Sequence, residues 1–292
     1  MTGAPAPTAT SEDIPPEAAT GLRELRGVRA GRQMVATANP QASEAGLEML
    51  RAGGSAVDAA VAIALVLTLV EPQSSGIGGG AFMLHYDAET RRVRSYDGRE
   101  TAPAAARGDM FLSAGKPREF LEAVVGGLSV GVPGELRMLE LAQQRQGKLP
   151  WRRLFEPAIR LAEGGFAMSS RLYQLLALAP RLGTMPGASS YFYQPDGTPK
   201  PVGTVLANPE LGATLRAVAA GGADAFHGGD IARDLVAAVR QAPQNPGRMT
   251  LGDLQGYRAV ERPALCMVYR RWQVCGAPPP SSGGVTTLQI LG

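Results

Sequence analysis

The most apolar run in the chain, the 12 residues Ala59 to Val70, limits the folds open to it. Ser55 before this run is a good helix N-cap, and Asp58 three residues later completes a capping-box pattern. The sequence therefore predicts a helix over 56–70, which Pro72 would prevent from continuing. A helix that is apolar on nearly every side belongs in a protein interior, whereas a membrane span needs about 20 apolar residues. We expect this helix to lie at the centre of the core and predict no membrane span.

Composition places the chain among globular proteins, because 45% of its residues are apolar and 19% are charged. A length of 292 residues suits one large domain or two smaller ones. The 37 glycines and 23 prolines have no three-residue period, which excludes collagen and indicates many loops. The 29 basic and 26 acidic residues are interspersed, so the sequence does not predict a nucleic-acid partner.

The first 31 residues are rich in Ala, Pro, Thr and acidic residues. They have neither the basic start nor the apolar stretch of a secretory signal, so we expect a cytoplasmic location. We interpret residues 1–31 as a disordered N-terminal lead and residues 32–292 as one structured region.

The residues that surround the apolar helix predict further helices and strands. A short strand over 34–38 would lead into a helix over 40–51, and a strand over 81–86 would form a hairpin with residues 94–96. Other predicted elements are helices over 134–146, 151–163 with a break at Pro157, 208–221, 230–240 and 285–292, a short helix capped by Thr250, and a hairpin over 265–274.

A glycine-rich loop, Gly76 to Gly80, separates the apolar helix from the next strand. A phosphate-binding P-loop follows a strand, precedes a helix and ends in Gly-Lys-Ser/Thr, and none of these conditions holds here. We therefore expect these glycines to permit close packing of the backbone against a neighbouring segment.

Two patterns resemble catalytic or metal-binding motifs without their usual context. Gly127 to Gly131 matches the Gly-x-Ser-x-Gly nucleophile elbow, but Pro133 opposes the helix that must follow Ser129 in that motif. We expect His85 to be a satisfied structural residue in a strand and His227 to be exposed between helices. Two cysteines and two histidines cannot form a zinc site of standard spacing, so we predict no metal.

The two cysteines, Cys266 and Cys275, lie at matching distances from a possible two-residue turn, Arg270-Arg271. Such a turn would place the two sulfurs opposite each other across a hairpin. They could form a disulfide or remain two half-buried thiols. We favour the thiols, because cytosolic cysteines stay reduced.

The segment Asp97 to Pro103 is the most site-like part of the sequence, because it follows a predicted hairpin and carries adjacent opposite charges. The planar guanidinium of Arg99 matches the shape of a carboxylate and can hold it through two parallel hydrogen bonds. From spacing alone, a surface arginine paired with an acidic neighbour is the simpler interpretation.

Several segments together resemble the γ-glutamyltranspeptidase family, whose members are also called glutathione hydrolases. The most specific are Gly-Gly-x-Ala-Val-Asp-Ala-Ala-Val-Ala at 53–62, the glycine-rich loop and Arg-Glu-x-Ala-Pro at 99–103. The matching segments are 34–65, 71–84, 96–111, 130–134, 154–166, 207–215, 249–263 and 277–284. They occur in order from about residue 34 to the end of the sequence.

The resemblance implies an α+β fold of the N-terminal nucleophile (Ntn) hydrolase type, an αββα sandwich. Members cut themselves into a large and a small subunit and expose a nucleophilic Thr, whose own α-amine acts as the base. The γ-glutamyl group of a donor such as glutathione then passes through a γ-glutamyl-enzyme to water or to an amino-acid or peptide acceptor. Backbone amides of a glycine pair stabilise the oxyanion, and no cofactor is implied.

The resemblance also assigns individual residues. Arg99 matches the arginine that holds the α-carboxylate of the γ-glutamyl group, and Glu100 would orient Arg99 or its loop. The nucleophilic Thr would lie beyond residue 292, so this sequence is expected to cover most of the large subunit and no catalytic residue. Thr286-Thr287 aligns instead with the helix after 278–284.

Three other interpretations stay open at this point. The chain could belong to a same-fold amidohydrolase for another small amide or an acylated β-lactam. It could be a non-catalytic fragment that only pairs with a partner such as its own small subunit. A serine hydrolase built on Ser129 is the third, and the context of the motif argues against it.

Overall fold

The structure is a computed structural model, and it describes residues 27–292. Residues 1–26 of the predicted disordered lead therefore lie outside the described residues. The helices are α1 (Pro40–Arg51), α2 (Ala56–Val70), α3 (Phe120–Val124), α4 (Glu135–Gln146), α5 (Glu156–Gly164), α6 (Ser170–Ala177), α7 (Pro186–Phe192), α8 (Pro209–Gly221), α9 (Asp224–His227), α10 (Gly229–Arg240), α11 (Leu251–Gly256) and α12 (Ser282–Leu291). Short 3-10 helices cover Gly127–Ser129, Trp151–Phe155 and Pro180–Thr184. The strands are β1 (Ala81–Asp87), β2 (Arg92–Gly98), β3 (Leu112–Ser113), β4 (Lys116–Pro117), β5 (Phe166–Ala167), β6 (Val205–Leu206), β7 (Val260–Pro263), β8 (Leu265–Tyr269) and β9 (Trp272–Gly276).

Helix α2 lies at the centre of the core, as its apolar sequence predicts. Helices α1, α4 and α5 pack against it. Val61, Ala62, Leu65 and Val66 are inaccessible to solvent, and Ile63, Ala64 and Leu67 on the other side of the helix are half-buried. The predicted capping box is present, because Ser55 accepts from the Asp58 amide while Asp58 accepts from Ser55. No helix among the described residues combines the length and hydropathy that spanning a membrane requires.

A three-stranded antiparallel sheet with the order β1-β2-β7 carries the segment that the sequence singles out. Met83 of β1 and Glu261 of β7 flank Tyr96 of β2 in the register. Tyr96 is fully buried on the face of the sheet that packs against α4. At Gly98, two residues on, a Cβ atom would lie 2.4 Å from the Met138 Cβ atom. The backbone at the end of β2, where the candidate site begins, therefore packs directly against the Met138 side chain of α4.

The opposite face of this sheet carries three apolar side chains that no described residue covers, beside the ion pair of Asp97 and Arg262. Leu84 is 44% exposed, Tyr86 59% and Val260 41%. Side chains alternate between the two faces of a strand, so these three residues share one face. A strand that is apolar on both faces is typical of a sheet buried on both sides.

Local signals predicted most helices correctly, and long-range pairing caused the errors. The helix predicted over 151–163 is divided near Pro157, as expected. A 3-10 helix over Trp151–Phe155 comes first, and α5 follows with Pro157 in its first turn. The strand expected over 34–38 is wrong, since no described segment pairs with those residues. Strand β7 and the helices between Ser170 and Phe192 were not predicted, although Leu172 and Leu176 of α6 have the spacing of an amphipathic helix.

The hairpin of β8 and β9 has the predicted two-residue turn, and Arg270 in it has a φ of 56°. Cys266 lies opposite Cys275, and the two form a disulfide. The expectation of two thiols is therefore wrong. The cytoplasmic location on which that expectation rested stays a prediction.

Candidate functional site

The candidate site begins where β2 ends, at Arg99. Its backbone is held on both sides: the Arg99 amide donates to Asp97 Oδ1 at 3.0 Å, and Tyr257 Oη donates to the Arg99 carbonyl at 2.7 Å. Arg262 Nε in turn donates to Asp97 Oδ2 at 2.8 Å. The backbone at Arg99 is thus held by Asp97 and Tyr257, and Arg262 holds Asp97 in place.

The side chains of Arg99 and Glu100 form an ion pair, with Nη1 and Oε2 separated by 3.2 Å. The Arg99 side chain is 58% exposed, whereas that of Glu100 is 28% exposed. The guanidinium carries five N–H donors in a planar fork, so one contact to Glu100 leaves most of them available to a ligand. The arrangement can bind a carboxylate at the surface of the molecule.

The glycine-rich loop lies directly against Glu100. A Cβ atom on Gly80 would lie 2.5 Å from the Gly98 carbonyl oxygen and 2.7 Å from the Glu100 amide nitrogen. The predicted close packing is therefore confirmed at Gly80. It is wrong at Gly76 and Gly78, where a Cβ atom would meet nothing within 4 Å.

The segment 130–134 holds Glu100 from its other side. Thr101 and Val132 form an isolated antiparallel bridge, and a Cβ atom on Gly131 would lie 2.8 Å from the Glu100 Cβ atom. The Gly134 amide donates to the Gly79 carbonyl at 2.9 Å, which joins this segment to the glycine-rich loop. Glu100 is therefore positioned by backbone on two sides.

Glu135 is the first residue of α4, and its carboxyl group is buried beneath this arrangement. Burial raises the pKa of Glu135 to about 8, and the charge of Glu100 acts in the same direction. A hydrogen bond from the Gly76 backbone opposes the shift. The resemblance did not single out Glu135, although it directly follows the matching segment 130–134.

We expect the raised pKa of Glu135 to make the fold less stable as pH rises. The unfolded chain releases this proton near 4.5, the ordinary pKa of a glutamate, and the folded chain near 8, so stability present at low pH is lost between those values. Glu135→Gln removes this titration. The difference in unfolding free energy between the variant and wild type should therefore shift by about 1–2 kcal/mol in favour of the variant between pH 6 and about pH 7.5. Urea unfolding at both pH values measures this difference.

The matched control for Glu135→Gln is Glu44→Gln, because Glu44 is an exposed residue on α1. Its unfolding free energy should follow the wild type at both pH values. Parallel pH dependence of Glu135→Gln and wild type would show that Glu135 does not titrate in this range.

Tyr257 is the other residue that the sequence gave no reason to select. Burial, with the charges of Asp97 and Glu100, raises the pKa of Tyr257 to about 12. The phenol therefore keeps its proton and remains the donor to the Arg99 carbonyl. A single aromatic residue after a short helix does not predict this contact with Arg99. The one indication in the sequence is that Tyr257 lies within the matching segment 249–263.

The expectation that His227 is exposed is wrong. His227 is 1% exposed, with Nδ1 3.0 Å from the Ala223 carbonyl oxygen and Nε2 3.0 Å from that of Pro133. Burial lowers the pKa of His227, and the two carbonyl contacts oppose this shift, because both ring nitrogens are donors only in the protonated ring. His227 thereby connects α9 to the segment beside Glu100. His85 lies in β1 as expected, but the expectation that its ring is satisfied is wrong, because its buried Nδ1 has no hydrogen-bond partner among the described residues.

The structure gives Ser129 no catalytic environment. Its hydroxyl donates to the Val124 carbonyl at 2.6 Å, and it ends a 3-10 helix instead of preceding an α-helix. His227 contacts backbone carbonyls through both ring nitrogens, so it does not pair with this hydroxyl. The rejection of the nucleophile elbow is confirmed. Within residues 27–292, no three His, Cys, Asp or Glu side chains are grouped as metal ligands.

Comparisons with known proteins place the chain among close relatives. The family model for gamma-glutamyltranspeptidase matches residues 42–292. The glutathione hydrolase proenzyme of Bacillus subtilis is 40% identical over 270 residues, which cover 92% of this chain and 45% of that protein. Glutathione hydrolase 2 of Arabidopsis thaliana is 40% identical over 274 residues, which cover 94% and 46%. The chain thus spans less than half the length of these relatives.

A comparison of folds indicates the same family as the sequence comparison. The crystal structure of Helicobacter pylori gamma-glutamyltranspeptidase matches this chain with a TM-score of 0.84 and 32% sequence identity, covering 91% of this chain and 75% of that one. The mixture of helices and antiparallel sheet agrees with the predicted α+β class and the Ntn-hydrolase fold. On both the family match and the fold, the chain belongs to the gamma-glutamyltranspeptidase family.

Proposed function

We propose that this chain supplies the γ-glutamyl-binding part of an enzyme that hydrolyses glutathione or transfers its γ-glutamyl group. The supporting observation is Arg99, whose backbone is fixed by Asp97 and Tyr257 while its guanidinium remains 58% exposed. A fixed backbone with an accessible fork lowers the entropy that binding a carboxylate costs. Water, an amino acid or a peptide would accept the γ-glutamyl group.

Arg99 would bind the α-carboxylate of the donor through two charge-assisted hydrogen bonds. Glu100, 3.2 Å from Arg99 Nη1, would limit the rotation of the guanidinium and so fix the direction of the clamp. This makes Glu100 a positioning residue, held in turn by Gly80 and Gly131. The reacting γ-amide would then lie at a fixed distance from the clamp, as efficient catalysis requires.

The catalytic groups would come from a second half of the same precursor, its small subunit. The uncovered sheet face of Leu84, Tyr86 and Val260 supports this partner, because exposed apolar patches usually mark interaction surfaces. A second sheet that packs on this face would complete the two-sheet sandwich. By resemblance to the family, its N-terminal Thr would attack the γ-amide, with the Thr α-amine as base.

The experiment that tests this function is an assay with γ-glutamyl-p-nitroanilide. We expect no hydrolysis by the 292-residue chain alone, and hydrolysis when the chain is expressed as one precursor with a small-subunit half. Activity of the short chain alone would contradict the division of roles between the two halves.

The same preparations distinguish the alternative functions. An oxamate-like amide and an acylated β-lactam would be offered beside the γ-glutamyl donor, each at matched concentration. Turnover of either one without turnover of the γ-glutamyl donor would favour a same-fold amidohydrolase. Formation of a stable complex between the two halves with no turnover of any donor would favour a non-catalytic fragment.

A further inference from the structure

A basic cavity of about 470 Å³ lies between the β1–β2 turn, β7 and the β8–β9 hairpin. We call it the arginine cavity, and its lining residues include Arg91, Arg92, Arg94, Arg262, Cys266 and Gln273. It lies at the start of β2, whereas Arg99 follows the end of that strand. The γ-glutamyl site therefore does not account for it.

Positive charge dominates the arginine cavity. Glu261 is the acidic residue among its lining residues, and it forms an ion pair with Arg94. Arg262 pairs with Asp97 at 2.8 Å. Arg91 and Arg92 form no ion pair with any acidic side chain in the described part of the chain, so both can bind an external anion.

Two nearby acidic residues do not neutralise these arginines. Asp87 is the last residue of β1 and lies opposite Arg92 in the register, and Glu89 belongs to the turn that follows. Neither lines the cavity or forms an ion pair with Arg91 or Arg92. The Asp87 carboxylate accepts instead from Thr90 and from the Glu89 amide. The cavity therefore keeps a net positive charge.

The disulfide lies at the wall of this cavity. Cys266 is an exposed residue, while Cys275 across the hairpin is half-buried. A disulfide reacts with a thiolate, and nearby arginines stabilise both the attacking and the leaving thiolate. Arginines also concentrate anionic reactants. An exposed half-cystine that lines the same cavity as two arginines without an ion-pair partner among the described residues has both conditions for exchange.

We propose that Cys266–Cys275 is a thiol-exchange site and that the arginine cavity selects small thiols that carry carboxylates. The incoming thiolate would attack Cys266 Sγ, form a mixed disulfide and release Cys275 as a thiolate. A second thiolate would attack the sulfur of the bound thiol and release Cys266. Two thiols are thereby oxidised to one disulfide, and the protein disulfide is reduced to two thiols.

Reduced glutathione is a suitable probe, because it combines a thiol with two carboxylates. The neutral thiol 2-mercaptoethanol is its comparison. With the 292-residue chain at neutral pH and low salt, alkylation and mass spectrometry would give the rate at which each thiol reduces the disulfide. We expect the double variant Arg91→Gln/Arg92→Gln to slow the reaction with glutathione by about fivefold or more. The reaction with mercaptoethanol should slow much less, because that thiol loses only the stabilisation of its thiolates and has no carboxylates for the arginines to attract.

The matched control is Arg152→Gln/Arg153→Gln, an exposed pair of adjacent arginines outside the cavity. It should leave both rates at the wild-type value. High salt should reduce the glutathione rate of the wild type towards that of the cavity variant, because salt screens exposed charges. An unchanged glutathione rate in the cavity variant, or an equal loss for both thiols, would overturn the proposal.

A second variant identifies the sulfur that reacts. Cys275→Ser leaves Cys266 as the one cysteine in the sequence. Incubated with glutathione disulfide, it should form a mixed disulfide on Cys266 and release one glutathione. The triple variant with Arg91→Gln and Arg92→Gln should react more slowly by a similar factor. A Cys266 thiol that reacts equally fast in both would contradict selection by the arginines.

Discussion

Replacing Arg99 by Ala should raise KM for γ-glutamyl donors by about a hundredfold, which corresponds to about 3 kcal/mol. The change removes two charge-assisted hydrogen bonds to the donor α-carboxylate, while the backbone contacts of Asp97 and Tyr257 do not depend on the side chain. Because this carboxylate does not react, its binding energy should be similar in the ground state and the transition state. We therefore expect kcat to change much less than KM.

The measurement is steady-state hydrolysis of γ-glutamyl-p-nitroanilide by the two-part enzyme. Arg99→Lys keeps the charge but loses the planar fork, so its KM should lie between those of wild type and Arg99→Ala. Arg107→Ala removes an exposed arginine a few residues further on and is the matched control, with an expected wild-type KM. An unchanged KM in Arg99→Ala would favour a substrate without an α-carboxylate.

Elements whose ends are marked by local hydrogen bonds were predictable from sequence. Ser55 with Asp58 fixes the start of α2, and Asn208 accepts from the Leu211 amide at the start of α8. Both contacts join residues within a few positions of each other, so the sequence pattern contains them. The hairpin of β8 and β9 was predictable for the same reason, since its turn determines its register.

Features that depend on distant partners were not predictable in this way. Glu135 looks like a favourable acidic residue in the first turn of a helix, and only the folded structure shows that it is buried. The burial of His227 was not predictable either, because its partner Pro133 is 94 residues away. Strand β7 is visible only as the partner of β2. The motif at 99–103 located the site, and the long-range contacts that position it came from the fold.

Replacing Gly80 by Ala should damage both the fold and the site, although Gly80→Ala adds one methyl group. The new Cβ atom would lie 2.5 Å from the Gly98 carbonyl and 2.7 Å from the Glu100 amide, and backbone atoms of a paired strand cannot move aside easily. We expect the free energy of unfolding to fall by about 3 kcal/mol, at the upper end of the cost of overpacking. Displacement of Glu100 should also raise KM for γ-glutamyl donors.

Gly78→Ala is the matched control, because it adds the same methyl group to the same loop where nothing lies within 4 Å. Neither glycine has a positive φ, so Ala can adopt the backbone conformation at both positions. Gly78→Ala should leave KM unchanged and shift stability by less than about 1 kcal/mol, through the unfolded chain. Urea unfolding of both variants makes the comparison. Equal losses at the two positions would mean that loop flexibility, and not the contact between Gly80 and Glu100, is what the loop requires.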